Sequence, residues 1–241
     1  SQTVPTDEGF ELQEDGRLQM TLLGAASAAT LHTVARVDRA FALRSFEFSL
    51  DPGTGATRVS GTVEGGSTKA SAAEGSSVEG GGTGDTADSG RVRLVLVVTT
   101  ASGTRTETRE LAERPVLSLN MSRQLANGRL KPGAAHRFAI FDPATLQNTP
   151  VTIRVGNREI VRANDRPVPA FRVELAYHGL QSTSWVTDTG EIVREESPLG
   201  LMTVQESPER AKQLAISGGM QRDLLNASAI VPDKARRIDE P

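Results

Sequence analysis

Three histidines, His32, His136 and His178, are the first residues to weigh for metal or proton chemistry. None has a second histidine at the H-x-H or H-x3-H spacing that brings two ring nitrogens onto one ion. Each falls within or at the end of a strand-like run, so all three are expected at solvent-facing or edge positions. Adjacent carboxylates, Glu195-Glu196 and Asp7-Glu8, alternate faces on an extended chain and do not converge on one substrate, as glycoside hydrolysis requires. Charged strand edges that deter edge-to-edge pairing account for them. Serine and threonine abound without a G-x-S-x-G elbow or an S-x-x-K motif. Cysteine is absent, which removes disulfides, thiolate metal sites and a cysteine nucleophile. The expectation is a chain that is not an enzyme and carries no metal and no cofactor. Apolar chemistry remains. Phe46, Phe48, Phe171, Tyr177, Trp185, Leu201 and Met202 are candidates to line the concave face of a curled sheet and hold a lipid or acyl chain. The competing reading is a packed core between sheet and helix.

The elements that position these residues follow from a period-2 pattern. FELQED, RLQMTLL, TLHTVARV and FALRSFEFSLD read as short strands, parted at Asp15-Gly16, Gly24-Ala25-Ala26 and Asp38-Arg39. Phe46, Phe48 and Leu50 share one face while Ser45, Glu47 and Ser49 take the other, the pattern of a half-buried antiparallel strand. RVRLVLVVTT is apolar on both faces and is expected to be a central or doubly covered strand. Pro115 to Leu130 is the place for a short helix, with Asn127-Gly128 at its end. HRFAIFD is a further strand, and VTIRVGNREIVRA is expected to be a hairpin turning at Gly156-Asn157. Phe171 to Tyr177 and Thr183 to Thr187 lead to the turn Asp188-Thr189-Gly190, and Glu191 to Glu195 returns. Leu201 to Glu206 is one more strand. Ser207-Pro208-Glu209 then opens a C-terminal helix.

Residues 65–90 hold only small, polar or acidic residues apart from Val78, too little apolar surface to offset ordering entropy. They read as a flexible insertion loop between strands. Their glycines lack the G-x-x-x-x-G-K-[ST] spacing of a phosphate loop. The fold expected is therefore mainly β: a long curved antiparallel sheet, half-barrel-like, with a mid-chain helix and a C-terminal helix. It occupies residues 1–216 as one domain, and residues 217–241 form a tail or linker. A net charge of −3 is too small and too mixed for a nucleic-acid surface. No apolar run approaches the roughly 20 residues that span a bilayer as a helix. Ser1 opens in a polar run, which suggests that a leader or a first strand has been removed.

With the strands laid out, TSWVTDTGEIVREESPLGLMTVQESPERA resembles the end of the β-rich, non-catalytic domain that precedes the catalytic domain of bacterial transglutaminase-like proteins. FALRSFEFSLD, LKPG, FDPATLQNTPVTIRV and PAFRVEL resemble the same domain in the same order, so the likeness spans most of Thr30 to Leu214. In overall pattern the chain is also similar to exported lipoprotein-carrier half-barrels. The transglutaminase-like family uses a Cys-His-Asp arrangement; with no cysteine here, none of its catalytic residues carries over. The resemblance implies a periplasmic or extracytoplasmic domain, either exported or anchored to the membrane through a segment outside this sequence. It further implies a partner, either a following catalytic domain or another protein. Three functions are thus expected in order: a non-catalytic accessory or protein-interaction domain, a periplasmic module binding a lipid or other apolar ligand, and a structural subunit of a membrane-associated assembly.

Overall fold

The computed structural model describes residues 1–22, 25–65, 91–177, 180–197 and 202–205. Seven strands, β1 (Gln2–Thr6), β2 (Gly9–Leu22), β3 (Ala25–Asp38), β4 (Leu43–Asp51), β5 (Thr57–Glu64), β6 (Val92–Thr100) and β7 (Gly103–Leu111), pair antiparallel in chain order. After one helix, α1 (Ser118–Ala126), six more do the same: β8 (Ala135–Asp142), β9 (Gln147–Ala163), β10 (Arg166–Tyr177), β11 (Leu180–Val186), β12 (Ile192–Glu196) and β13 (Met202–Val204). The protein is mainly β, as the period-2 pattern predicts, and its long meander is split in two at the helix. Neither sheet closes on itself. The C-terminal helix expected from Ser207, and most of the 65–90 loop, lie outside the described residues. The strands flanking that loop pair with each other, Glu64 opposite Arg93, so it joins neighbouring antiparallel strands.

Period-2 alternation builds the first sheet's core. Leu12, Ala35, Phe46, Phe48, Val59, Leu94, Leu96 and Val98 fill its inner face, while Arg36, Glu47 and Glu11 form ion pairs on the outer one. At Gly61 a Cβ would stand 2.2 Å from the Phe46 ring, so the ring lies flat on bare backbone and only glycine fits there. β6 is the internal strand expected, paired on both sides by β5 and β7, but only one of its faces is covered: Val92, Leu94, Leu96 and Val98 are buried, while Val97 is 36% exposed. Its outward valines reflect β propensity rather than a second layer. A further expectation is corrected. Asp15-Gly16 does not divide two strands, because β2 runs through it with Gly16 opposite Leu31. The polar opening run is itself a strand, β1, an edge position that tolerates Pro5.

The helix holds the two sheets together. At nine residues it is shorter than the roughly 12–15 at which isolated helices become even marginal in water, so packing must hold it. Leu117, at its N-cap, is buried in the first sheet's core beside Phe46 and Phe141, whose rings are 5.6 Å apart. Leu125 is buried in the second sheet's core with Val116, Phe138, Val151, Ile153, Val155, Val173 and Val186. Between these faces sits fully buried Asn120. Its Oδ1 accepts the Leu117 N–H at 2.8 Å and its Nδ2 donates to Phe41 O at 2.8 Å. Phe41 adopts a left-handed φ of 61°, costly for a bulky residue, and stacks on Phe10 at 4.6 Å. The side chain of Asn120 thus satisfies two buried backbone groups while pinning the β3–β4 turn to the helix.

Gly156-Asn157 is not a hairpin turn. β9 runs straight through as one 17-residue strand, and the register shifts so that both residues oppose Arg172. This is a β-bulge, and a Cβ at Gly156 would sit 3.1 Å from Arg172 O. The extra residue changes which side is buried. Val155 and Val173 share the face beneath α1; beyond the bulge Val161, Ala163 and Ala170 lie on the opposite face. There they form a small core with Trp185 and Val193, as β12 curls within reach of β9.

Candidate functional site

At one end of the second sheet, past the N-terminus of α1, the inner face is left uncovered by the described residues. Register puts Ile140 opposite Thr149, Leu175 opposite Ser182 and Tyr177 opposite Leu180, so these side chains share one face. With Val151, Phe141, Asp142 and Ser118 they line a cleft of about 380 Å³. It continues the core under α1, whose members include Val151 and, at its margin, Ile140 and Leu175. Tyr177 and Leu180 stand 40% and 54% exposed, which marks the mouth. The lining is aliphatic and aromatic with four hydroxyls, from Ser118, Thr149, Tyr177 and Ser182, and one carboxylate, Asp142. Such a lining can hold apolar groups and orient a polar end.

The seven apolar residues singled out by sequence are not brought together. Phe46 and Phe48 are sealed in the first sheet's core. Phe171 packs at the margin of the core under α1, with the Arg158 guanidinium 5.7 Å from its ring. Tyr177 alone lines the cleft. Trp185 faces the other side of the sheet, where its Nε1 donates to Glu159 Oε2 at 3.0 Å and Arg194 stacks 4.8 Å from its ring. Met202 is 59% exposed on β13, and Leu201 lies outside the described residues. The cleft residues the sequence did not mark (Ile140, Val151, Leu175, Leu180 and Ser182) sit in ordinary alternating runs, where only strand pairing collects them.

The other candidates take structural partners. His32 Nδ1 meets Asp15 Oδ1 at 2.7 Å on an exposed edge, and His136 Nε2 meets Arg129 O at 2.9 Å. His178 is outside the described residues. Glu8 pairs with Arg44, and Glu196 with Arg194. Among the described residues no three His, Cys, Asp or Glu side chains cluster as a metal would need. Among the described residues Glu195, opposite Ser184 and Thr203, is the one carboxyl whose burial pushes its pKa upward.

No family model and no curated protein matches this chain. Among solved structures it is similar to a β-barrel-like protein of domain of unknown function DUF1849 from Brucella abortus. Identity is 14%, with a TM-score of 0.47, over 79% of this chain and 77% of that one. It is also similar to a DUF1089 family protein from Pseudomonas aeruginosa, at 11% identity and a TM-score of 0.39, over 80% and 85% of the two chains. Neither likeness bears on function.

Proposed function

We propose that this domain is a non-catalytic binding module that takes one alkyl chain, or an apolar group of similar size, in the cleft at the open end of the second sheet. The observation that carries this is the cleft itself. About 380 Å³ of uncovered space is continuous with an apolar core and rimmed by hydroxyls. The volume lies at the small end of the roughly 300–1,000 Å³ typical of small-molecule sites, which suits a single chain rather than a whole diacyl lipid. Calorimetric titration with single-chain amphiphiles below their micelle concentrations should give one site per chain. Ser182→Trp, placed at a half-buried rim position, should weaken binding at least about tenfold, because an indole fills much of such a space. Unchanged binding in that variant removes the cleft from consideration.

The second reading is an accessory or protein-interaction domain of an exported transglutaminase-like protein. It is favoured by the serial order of motifs from FALRSFEFSLD to SPLGL and by exposed apolar residues, Met202 and Val204, on strand β13. The test is the gene beyond the codon for Pro241. A following domain with Cys, His and Asp in that order supports this reading; a stop codon or an unrelated domain there defeats it.

A further inference from the structure

We infer that the cleft selects its ligand by charge: it takes a single-chain amphiphile whose polar end is uncharged and donates hydrogen bonds, with Asp142 setting the preference. This rests on the reading of the cleft as a binding site. Of the residues lining it, Asp142 alone carries a formal charge, and among them there is no lysine, arginine or histidine. Strand alternation is the reason. Arg137, Arg154 and Arg172 sit in three of the four strands that build the cleft, but their positions alternate with those of Phe138, Ile153 and Val173 and so face the other side. Arg129, in the helix–strand connection, is stacked 5.4 Å over Phe138 and does not line the cleft.

Asp142 is held in place. Its Oδ1 accepts the Ala144 N–H at 2.9 Å and its Oδ2 accepts the Thr145 hydroxyl at 2.7 Å. Each oxygen keeps a lone pair for a donor on the ligand. One feature works in the opposite sense: Ser118 begins α1, whose N-terminus presents about half a positive charge. A full carboxylate charge outweighs that, so the described lining is net negative and repels a carboxylate or phosphate head.

Titrating the full chain with dodecanoylglycerol and with dodecanoate, at low ionic strength, separates the possibilities. The glyceride should bind about five- to tenfold more tightly, the size of one like-charge repulsion at a partly exposed site. Added salt should narrow the gap. Asp142→Asn, which retains an acceptor for Ala144, should close it by raising the affinity for dodecanoate. Equal or tighter binding of dodecanoate by the unaltered protein, or a gap that Asp142→Asn leaves intact, overturns the charge preference and leaves the binding site standing. Binding of neither amphiphile overturns both.

Discussion

Glu195 shows how a single side chain can make stability depend on pH. It closes a cross-strand row that runs Val155, Val173, Ser184, Glu195, Thr203, so its carboxyl shares the inner face with valines. Burial penalises the charged form and raises its pKa in the folded state. The folded chain therefore holds this proton more tightly than the unfolded chain does. Below the unfolded value, about 4.3 for glutamate, both states are protonated and the penalty is absent. Stability is lost as pH rises from there through the folded value. Glu195→Gln should raise the melting temperature at neutral pH, and the advantage should vanish as the pH falls below about 4. An equal gain at both pH values, or a loss at neutral pH, would show that the carboxylate is not penalised. No sequence pattern marks Glu195 apart from Glu196, because the difference is only which face each takes.

Among elements, the β11–β12 turn and α1 depend on each other. The turn closes through Gly190 N–H to Thr187 O and Thr187 N–H to Glu191 O, both 2.9 Å, with Gly190 at a φ of 81°. Arg123, near the end of the helix, donates to Thr189 O at 2.7 Å and lies 3.6 Å from Glu191. A Cβ on Gly190 would fall 2.7 Å from Arg123 Cα and 2.8 Å from Ser122 O, both fixed by the helix. Gly190→Ala thus combines left-handed strain with a clash against backbone, and should cost about 2–4 kcal/mol in denaturant unfolding. A cost under about 0.5 kcal/mol, the level of an ordinary surface change, would mean that the turn does not press on the helix. The Asp188-Thr189-Gly190 turn is legible in sequence; the helix that packs on it, over sixty positions earlier, is not.

For the whole molecule, a nine-residue helix between two open sheets decides where a ligand has room. Leu117 enters one core and Leu125 the other, and Asn120 ties the first sheet's β3–β4 turn to the same helix. Arg109 of β7 reaches Leu146 O in the β8–β9 turn, and Arg114 donates to Leu43 O at 2.7 Å and Gly65 O at 2.8 Å, further ties between segments distant in sequence. α1 is too short to cover the whole inner face of the second sheet, and among the described residues the cleft is the part it leaves bare.

The sequence by itself determined the strands, the helix with its Asn127-Gly128 end, the turn at Gly190 and the antiparallel meander. Each of these is written in local periodicity and turn chemistry, which act over a few residues. Only the tertiary structure decided that the meander breaks into two sheets, and that Gly156-Asn157 is a bulge rather than a turn. The buried residues of β9 are odd-numbered on both sides of that bulge, Val151, Ile153 and Val155 before it and Val161 and Ala163 after it, so the pattern looks unbroken while the buried face changes sides. For the same reason Phe171, Tyr177 and Trp185, close in sequence and alike in character, end in three surroundings: the margin of one core, an open cleft and the far side of the sheet. Which face a strand presents is fixed by its pairing partners, and those partners are chosen by contacts distant in sequence.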